Sequence, residues 1–194
     1  MANSVMVSVL KKSAAAGRPT GKKKYVILFD WEDVKKFEKD EKGIKVTSFE
    51  MQEGTKPIGV YATQNTIHAY DSLEGDADAK GYIHKLDMES PGNSVEMDEL
   101  RNEIANRGLG AIVIGCDGDD IKLLGTPCAP LLVSKDDSQD NNEGKKVTLN
   151  LASEFRSTPL ARISKDLIPE TDSEEVNAYL GLPAAKESSA GLGV

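Results

Sequence analysis

Apolar residues occur along this chain in short runs separated by turn-forming and charged residues, a pattern that predicts many short strands and few helices. Tyr25-Val-Ile-Leu-Phe29 is a continuous run of β-favouring residues, which predicts a strand buried on both faces. Asp30, Trp31, Glu32 and Asp33 break it, and a short helical turn through Phe37 is expected to follow. Residues 44–49 and 57–61 read as further short strands. Residues 66–70 and 82–88 flank the acidic, glycine-bearing loop 74–81 and predict two strands joined by it.

One helix is expected, over residues 95–107. Ser94 or Asn93 can cap it, Glu96, Asp98 and Glu99 lie in the first turns where the dipole favours acids, and Gly108 ends it. Met97, Leu100, Ile104 and Ala105 form one apolar stripe, read as a core face rather than as a ligand for a partner's groove. Beyond it, residues 111–116 and 119–124 flank Asp117-Gly118, a pair that predicts a two-residue hairpin turn with both positions at positive φ. Residues 131–134 and 146–151 make a second pair around a polar loop, 135–145. The expected fold is mainly β, an antiparallel meander forming a β-sandwich or barrel with one flanking α-helix.

Three regions follow from this reading: a flexible basic N-terminal arm over 1–23, a β domain over 24–164, and an acidic, small-residue C-terminal extension over 165–194 containing at most a short helix. Hydrophobic residues make up 39% but aromatics only 5%, so the core must come mainly from Val, Ile, Leu and Ala. No apolar run reaches the ~18 residues of a membrane span, and the apolar stretch near the N-terminus is too short for a secretory signal, so neither membrane nor secretion is expected.

The formal charge of −8 conceals a split. Lys11, Lys12, Arg18, Lys22, Lys23 and Lys24 precede residue 25 without a single acid, and the remaining 18 basic residues face all 32 acidic ones, a balance of −14. A polyacidic body does not attract nucleic-acid phosphate, because such binding rests on Lys and Arg releasing counterions. The lysines at 11, 12, 22, 23 and 24 lack interleaved aromatics for base stacking and are read as inter-subunit contacts to the acidic body of a neighbouring copy.

No constellation carries strong chemistry. His68 and His84 with Asp71 and Asp76 have loose spacing, and each histidine is read as a solvent-facing sheet residue. Asp117, Asp119 and Asp120 fail as a calcium loop, since Ile121, Lys122 and Cys128 stand where an oxygen ligand, Gly and Glu are required. Cys116 and Cys128 lie in apolar, strand-like segments and are read as buried free thiols. Nucleotide-binding and common hydrolase motifs are missing. No catalytic residue, metal or cofactor is expected.

Residues 74–157 carry a resemblance: the acidic loop, a strand, Ser90-Pro-Gly-Asn93, the helix from Met97 to Ala105, the hairpin 111–124, Leu124-Gly-Thr-Pro127, Leu131-Leu-Val-Ser134, and the closing strand 146–153. With the opening segment 25–34, this order resembles the tail tube (major tail) proteins of long-tailed bacteriophages, especially those of Bacteroidetes phages and prophages. The resemblance implies a subunit made in the bacterial cytoplasm that closes into rings, six copies in most of the family. The rings stack with other tail proteins into the virion's tail, a conduit through which DNA passes without specific binding. The acidic end after Ser164 departs from the family pattern. Two other classes compete: a head-associated or capsid decoration protein forming a small oligomer, and a small hydrolase using His84 or Cys128.

Overall fold

Strands and helices occupy 46% and 15% of the computed structural model, so the protein is mainly β. The structure describes residues 8–10 and 17–183. In chain order the elements are β1 (Tyr25–Asp30), β2 (Val34–Lys39), β3 (Val46–Met51), β4 (Ile58–Tyr61), β5 (His68–Glu74), β6 (Gly81–Pro91) and α1 (Val95–Ile104). They continue with β7 (Leu109–Ile114), β8 (Ile121–Leu124), β9 (Leu131–Asn141), β10 (Gly144–Ser153), β11 (Ala161–Arg162) and α2 (Glu174–Leu180).

All named pairings are antiparallel. One half of a nine-stranded sheet runs β4-β1-β7-β8-β11, the other β9-β10-β6-β5, and the two meet only where Leu109 of β7 pairs with Leu131 of β9. The sheet folds over at that corner into a sandwich. Alternate residues on each strand point inward, so Val26, Leu28, Val60, Ala111, Val113 and Leu124 from the first half pack against Leu86, Met88, Val147, Leu149 and Leu151 from the second.

The first half is buried on its other face as well. Ile27, Phe29, Ile112, Ile114, Ile121 and Leu123 meet a cover built from the β2–β3 hairpin, Trp31 and the C-terminal segment, which supplies Ile163, Ile168, Val176 and Leu180. This explains the continuous apolar run of β1. The extension expected from residue 165 onward is therefore in part a correction: up to residue 182 it belongs to the fold, with Leu180 fully buried, while 184–194 lie outside the described residues.

Helix α1 is capped by Ser94, whose hydroxyl accepts from the Met97 N–H, and stops at Ile104, three residues short of the expected end. Of its predicted stripe only Ile104 is buried; Met97 and Leu100 are half-buried against the inner core and Ala105 is exposed. Arg101 bonds both Asp98 and Asp136 at 2.7 Å, tying α1 to β9, and Arg107, just past the helix, bonds both Glu103 of α1 at 3.0 Å and Asp30 of β1 at 3.2 Å. The helix thus links the two halves of the sandwich.

Three further expectations change. The segment after Trp31 is a single 3-10 turn, Trp31–Asp33, followed by strand β2, because Phe37 pairs with Phe49 of β3 inside an aromatic cluster. The Asp117-Gly118 hairpin exists, but its turn is longer than two residues. Ile114 pairs with Ile121, Gly115 donates to the Asp120 carbonyl, and only Gly118, not Asp117, has positive φ, at 80°. The polar loop 135–145 is instead paired backbone: β9 and β10 run on to Asn141 and Gly144 as one long, exposed hairpin.

Gly110 sits opposite Phe29, and a Cβ there would lie 2.2–2.9 Å from the Phe29 ring. That ring is locked against Trp31 and Phe49. Gly110→Ala should cost about 1–3 kcal/mol by overpacking, and Leu86→Ala about 2–5 kcal/mol by leaving a cavity, both read by chemical denaturation.

Candidate functional site

Two features of the chain's chemistry concentrate in defined places: the free edges and outer face of the β9-β10-β6-β5 half, and a buried histidine that closes one end of the sandwich. Strand β5 pairs with β6 alone, and β9, apart from the Leu131 corner, pairs with β10 alone. Each presents one row of main-chain groups with no strand beside it among the described residues. An open groove of about 710 Å³, lined by Pro19, Lys22, Gln64, His68, Tyr70 and Asp87, runs between the N-terminal segment and the start of β5.

The outer face of this half is polar. Register places Glu74, Lys85, Asp87, Glu89, Lys135, Asp137, Lys146, Thr148 and Asn150 on it. Lys85 pairs with Glu74 at 3.2 Å, Lys146 with Glu89 at 3.0 Å and Lys135 with Asp137 at 2.6 Å. Four carboxylates therefore stand against three lysines. Tyr70 is exposed, but partial desolvation and its Asp87 neighbour push the phenol pKa up, so that hydroxyl stays protonated.

The predicted contact lysines fall in different places. Lys11 and Lys12 lie outside the described residues, and Lys24 is exposed. Lys22 pairs with Asp120 of its own chain at 3.2 Å, and its backbone bridges Gly115. Lys23 donates to the carbonyls of Tyr179 and Leu180, both at 3.1 Å, capping the C-terminal end of α2 where the helix dipole favours a cation. Lys22 and Lys23 thus each have a partner within their own chain. Burial works against the charge of Asp120, but the Lys22 hydrogen bond and the adjacent Arg162, which also bonds it, hold its carboxyl below the ordinary carboxylate range. Asp117 and Gly118 sit at the tip beside it.

His84 is the residue that sequence reasoning misplaced. It is fully buried, not solvent-facing. Its Nδ1 accepts from the Gly125 N–H at 2.9 Å, which puts the ring proton on Nε2, where it donates to the Thr158 carbonyl at 2.8 Å. The His84 N–H donates to the Ser153 hydroxyl at 3.0 Å, and Asp71, across the β5–β6 pair, accepts from the Leu160 N–H at 2.9 Å. These bonds pin the segment that leaves β10 and crosses to β11. Gly125 is fixed by the same bond: its φ is 81°, and a Cβ would lie 3.0 Å from both the Leu109 oxygen and Trp31 Nε1.

With both ring nitrogens engaged, His84 has no lone pair free to serve Cys128 as a base. Cys116 and Cys128 are both exposed, correcting the expectation of burial, because each falls in the turn just beyond a strand: Cys116 after β7, Cys128 between β8 and β9. Cys116 Sγ receives the Gln64 amide at 3.0 Å and lies 3.2 Å from the Lys22 carbonyl. Among the described residues no group of three His, Cys, Asp or Glu side chains could hold a metal ion, and no helix is long and apolar enough to cross a membrane.

No family model matches the chain, and neither a curated protein nor a solved structure does.

Burial lowers the His84 pKa from its ordinary 6.5, outweighing the Thr158 bond that raises it. The unfolded chain therefore binds this proton more readily than the folded one. His84 should contribute its full stability above pH 6.5 and lose it progressively as pH falls below 6.5 and through the lower folded value. His84→Phe should orphan the Gly125 N–H and the Thr158 carbonyl, cost about 1–3 kcal/mol for each, and flatten that acid-side slope in denaturation curves.

Proposed function

We propose that this protein is a structural subunit that assembles edge to edge with its own copies into rings, and that the rings stack into the tail tube of a long-tailed bacteriophage. The observation that carries this reading is the pair of open edges, β5 and β9, at opposite margins of one four-stranded half-sheet. A long unpaired edge is a template for another strand, and pairing β9 of one copy with β5 of the next satisfies both at once. The contact is heterologous, so it closes into a ring if the rotation between copies permits. The half-sheets then join into one continuous β-barrel, their outer faces turned to its lumen.

The resemblance in residues 74–157 points the same way and implies six copies per ring, a place in the virion tail and DNA as the passing cargo. The outer face fits a conduit. Its lysines are each engaged by a carboxylate, so no cationic excess is left to hold phosphate. On this reading the protein is not an enzyme and needs no cofactor; its work is done by shape and by assembly.

Negative-stain electron microscopy of the purified chain tests the proposal, with rings or hollow tubes expected. A preparation holding only monomers or trimers would contradict it and turn attention to a capsid decoration protein.

A further inference from the structure

Most exposed apolar side chains of this protein stand alone. Leu73, Val95 and Phe155 share no aromatic contact and need no partner to explain them. Three tyrosines differ. Tyr25 at the start of β1 and Tyr61 at the end of β4 are cross-strand partners with ring centroids 5.5 Å apart, and Tyr179 of α2 meets Tyr25 at 5.4 Å, both contacts edge to face. Lys23 Nζ stands 5.6 Å from the Tyr179 ring centroid while it caps the helix. The platform is held rigidly, since Tyr25 packs on the outer core, yet Tyr61 and Tyr179 remain 39% and 44% exposed. Rigid, half-exposed tyrosines make good contact surface because little side-chain entropy is lost on burial.

The platform has an acidic border. Glu175 lies four residues before Tyr179, hence on the same side of α2, and Glu174 and Asp172 precede it; all three acids are exposed. A segment of matching chemistry exists in the same chain. Val9 and Leu10 are 95% and 81% exposed, more than any other large apolar side chain among the described residues, and Lys11 and Lys12 follow them in sequence. Two aliphatic residues followed by two lysines complement an aromatic platform bordered by carboxylates. Their exposure means that this pair does not occupy its own platform.

We infer that Val9 and Leu10 of one copy dock on the Tyr25–Tyr61–Tyr179 platform of a second copy, with Lys11 and Lys12 set against Glu174 and Glu175. This inference rests on the assembly proposed above and names a contact separate from the β5 and β9 edges. Being heterologous, it links copies head to tail and suits the joining of one ring to the next. Apolar burial supplies most of the attachment, because exposed ion pairs are weak and screened by salt.

Photo-crosslinking from Leu10→p-benzoylphenylalanine in the full chain, using a mixture of isotope-labelled and unlabelled protein, tests it. Adducts at Tyr25, Tyr61 or residues 175–179 that join labelled to unlabelled chains are expected. Adducts confined to one chain would show the segment folding back on its own platform and overturn the inference, as would adducts elsewhere. In a second measurement, Val9→Asp with Leu10→Asp should raise the concentration needed for assembly by at least about tenfold, the weight of one desolvated aliphatic side chain. Lys11→Glu with Lys12→Glu should weaken assembly, and Glu174→Lys with Glu175→Lys should restore it; no change in either would overturn the inference. Tubes that form unaltered in these variants defeat this contact alone, whereas a wild-type chain that forms no assembly defeats the edge-pairing reading too.

Discussion

Every main-chain N–H and C=O of a sheet needs a partner, and the strands at its margins are where that need is left unmet. In this protein the requirement is met unevenly. The half-sheet β4-β1-β7-β8-β11 is covered on both faces and ends on a two-residue strand, β11. The half-sheet β9-β10-β6-β5 is covered on one face only, and its margins are an eleven-residue strand and a seven-residue strand. The first half is an anchored core. The second is a presented surface, and its open edges are the feature from which the proposed assembly follows.

The rest of the molecule holds that surface in place. Helix α1 binds β9 through Arg101, and Arg107 in the segment just after it binds β1, so the base of the long hairpin is fixed relative to the core. At the other end of the half-sheet, His84, Asp71 and Ser153 clasp the chain as it crosses from β10 to β11. The histidine suits this task because a neutral imidazole both donates and accepts, and here it meets one main-chain donor and one main-chain acceptor. A buried histidine with both nitrogens satisfied by backbone is part of the architecture.

What could be read from sequence depended on whether a residue's environment leaves a periodic trace. Burial on both faces leaves a continuous apolar run, so β1 and the β7–β8 hairpin were legible. Beyond Ser134 and before Lys146, β9 and β10 carry Asp, Gln, Asn and Lys on both faces; only main-chain pairing makes them strands, and that has no hydrophobic signature. His84 was misplaced because its partners are main-chain groups 41 and 74 residues away. In the C-terminal segment the Val176–Leu180 spacing did mark a buried helix face, but the surrounding acids obscured it. Charge alone marked Lys22 and Lys23 as contact residues, but it could not show that an acid and a helix end of their own chain, distant in sequence, lie beside them.

The central claim is that β5 and β9 are completed by other copies, and hydrogen–deuterium exchange compared between the dissociated and the assembled protein tests it most directly. The amides of β5 and of β9 beyond Leu131 that point away from β6 and β10 should exchange quickly in the free chain and become protected on assembly, while those of β1 and β7 stay protected in both states. Assemblies in which these outward-pointing amides exchange as quickly as in the free chain would contradict the account.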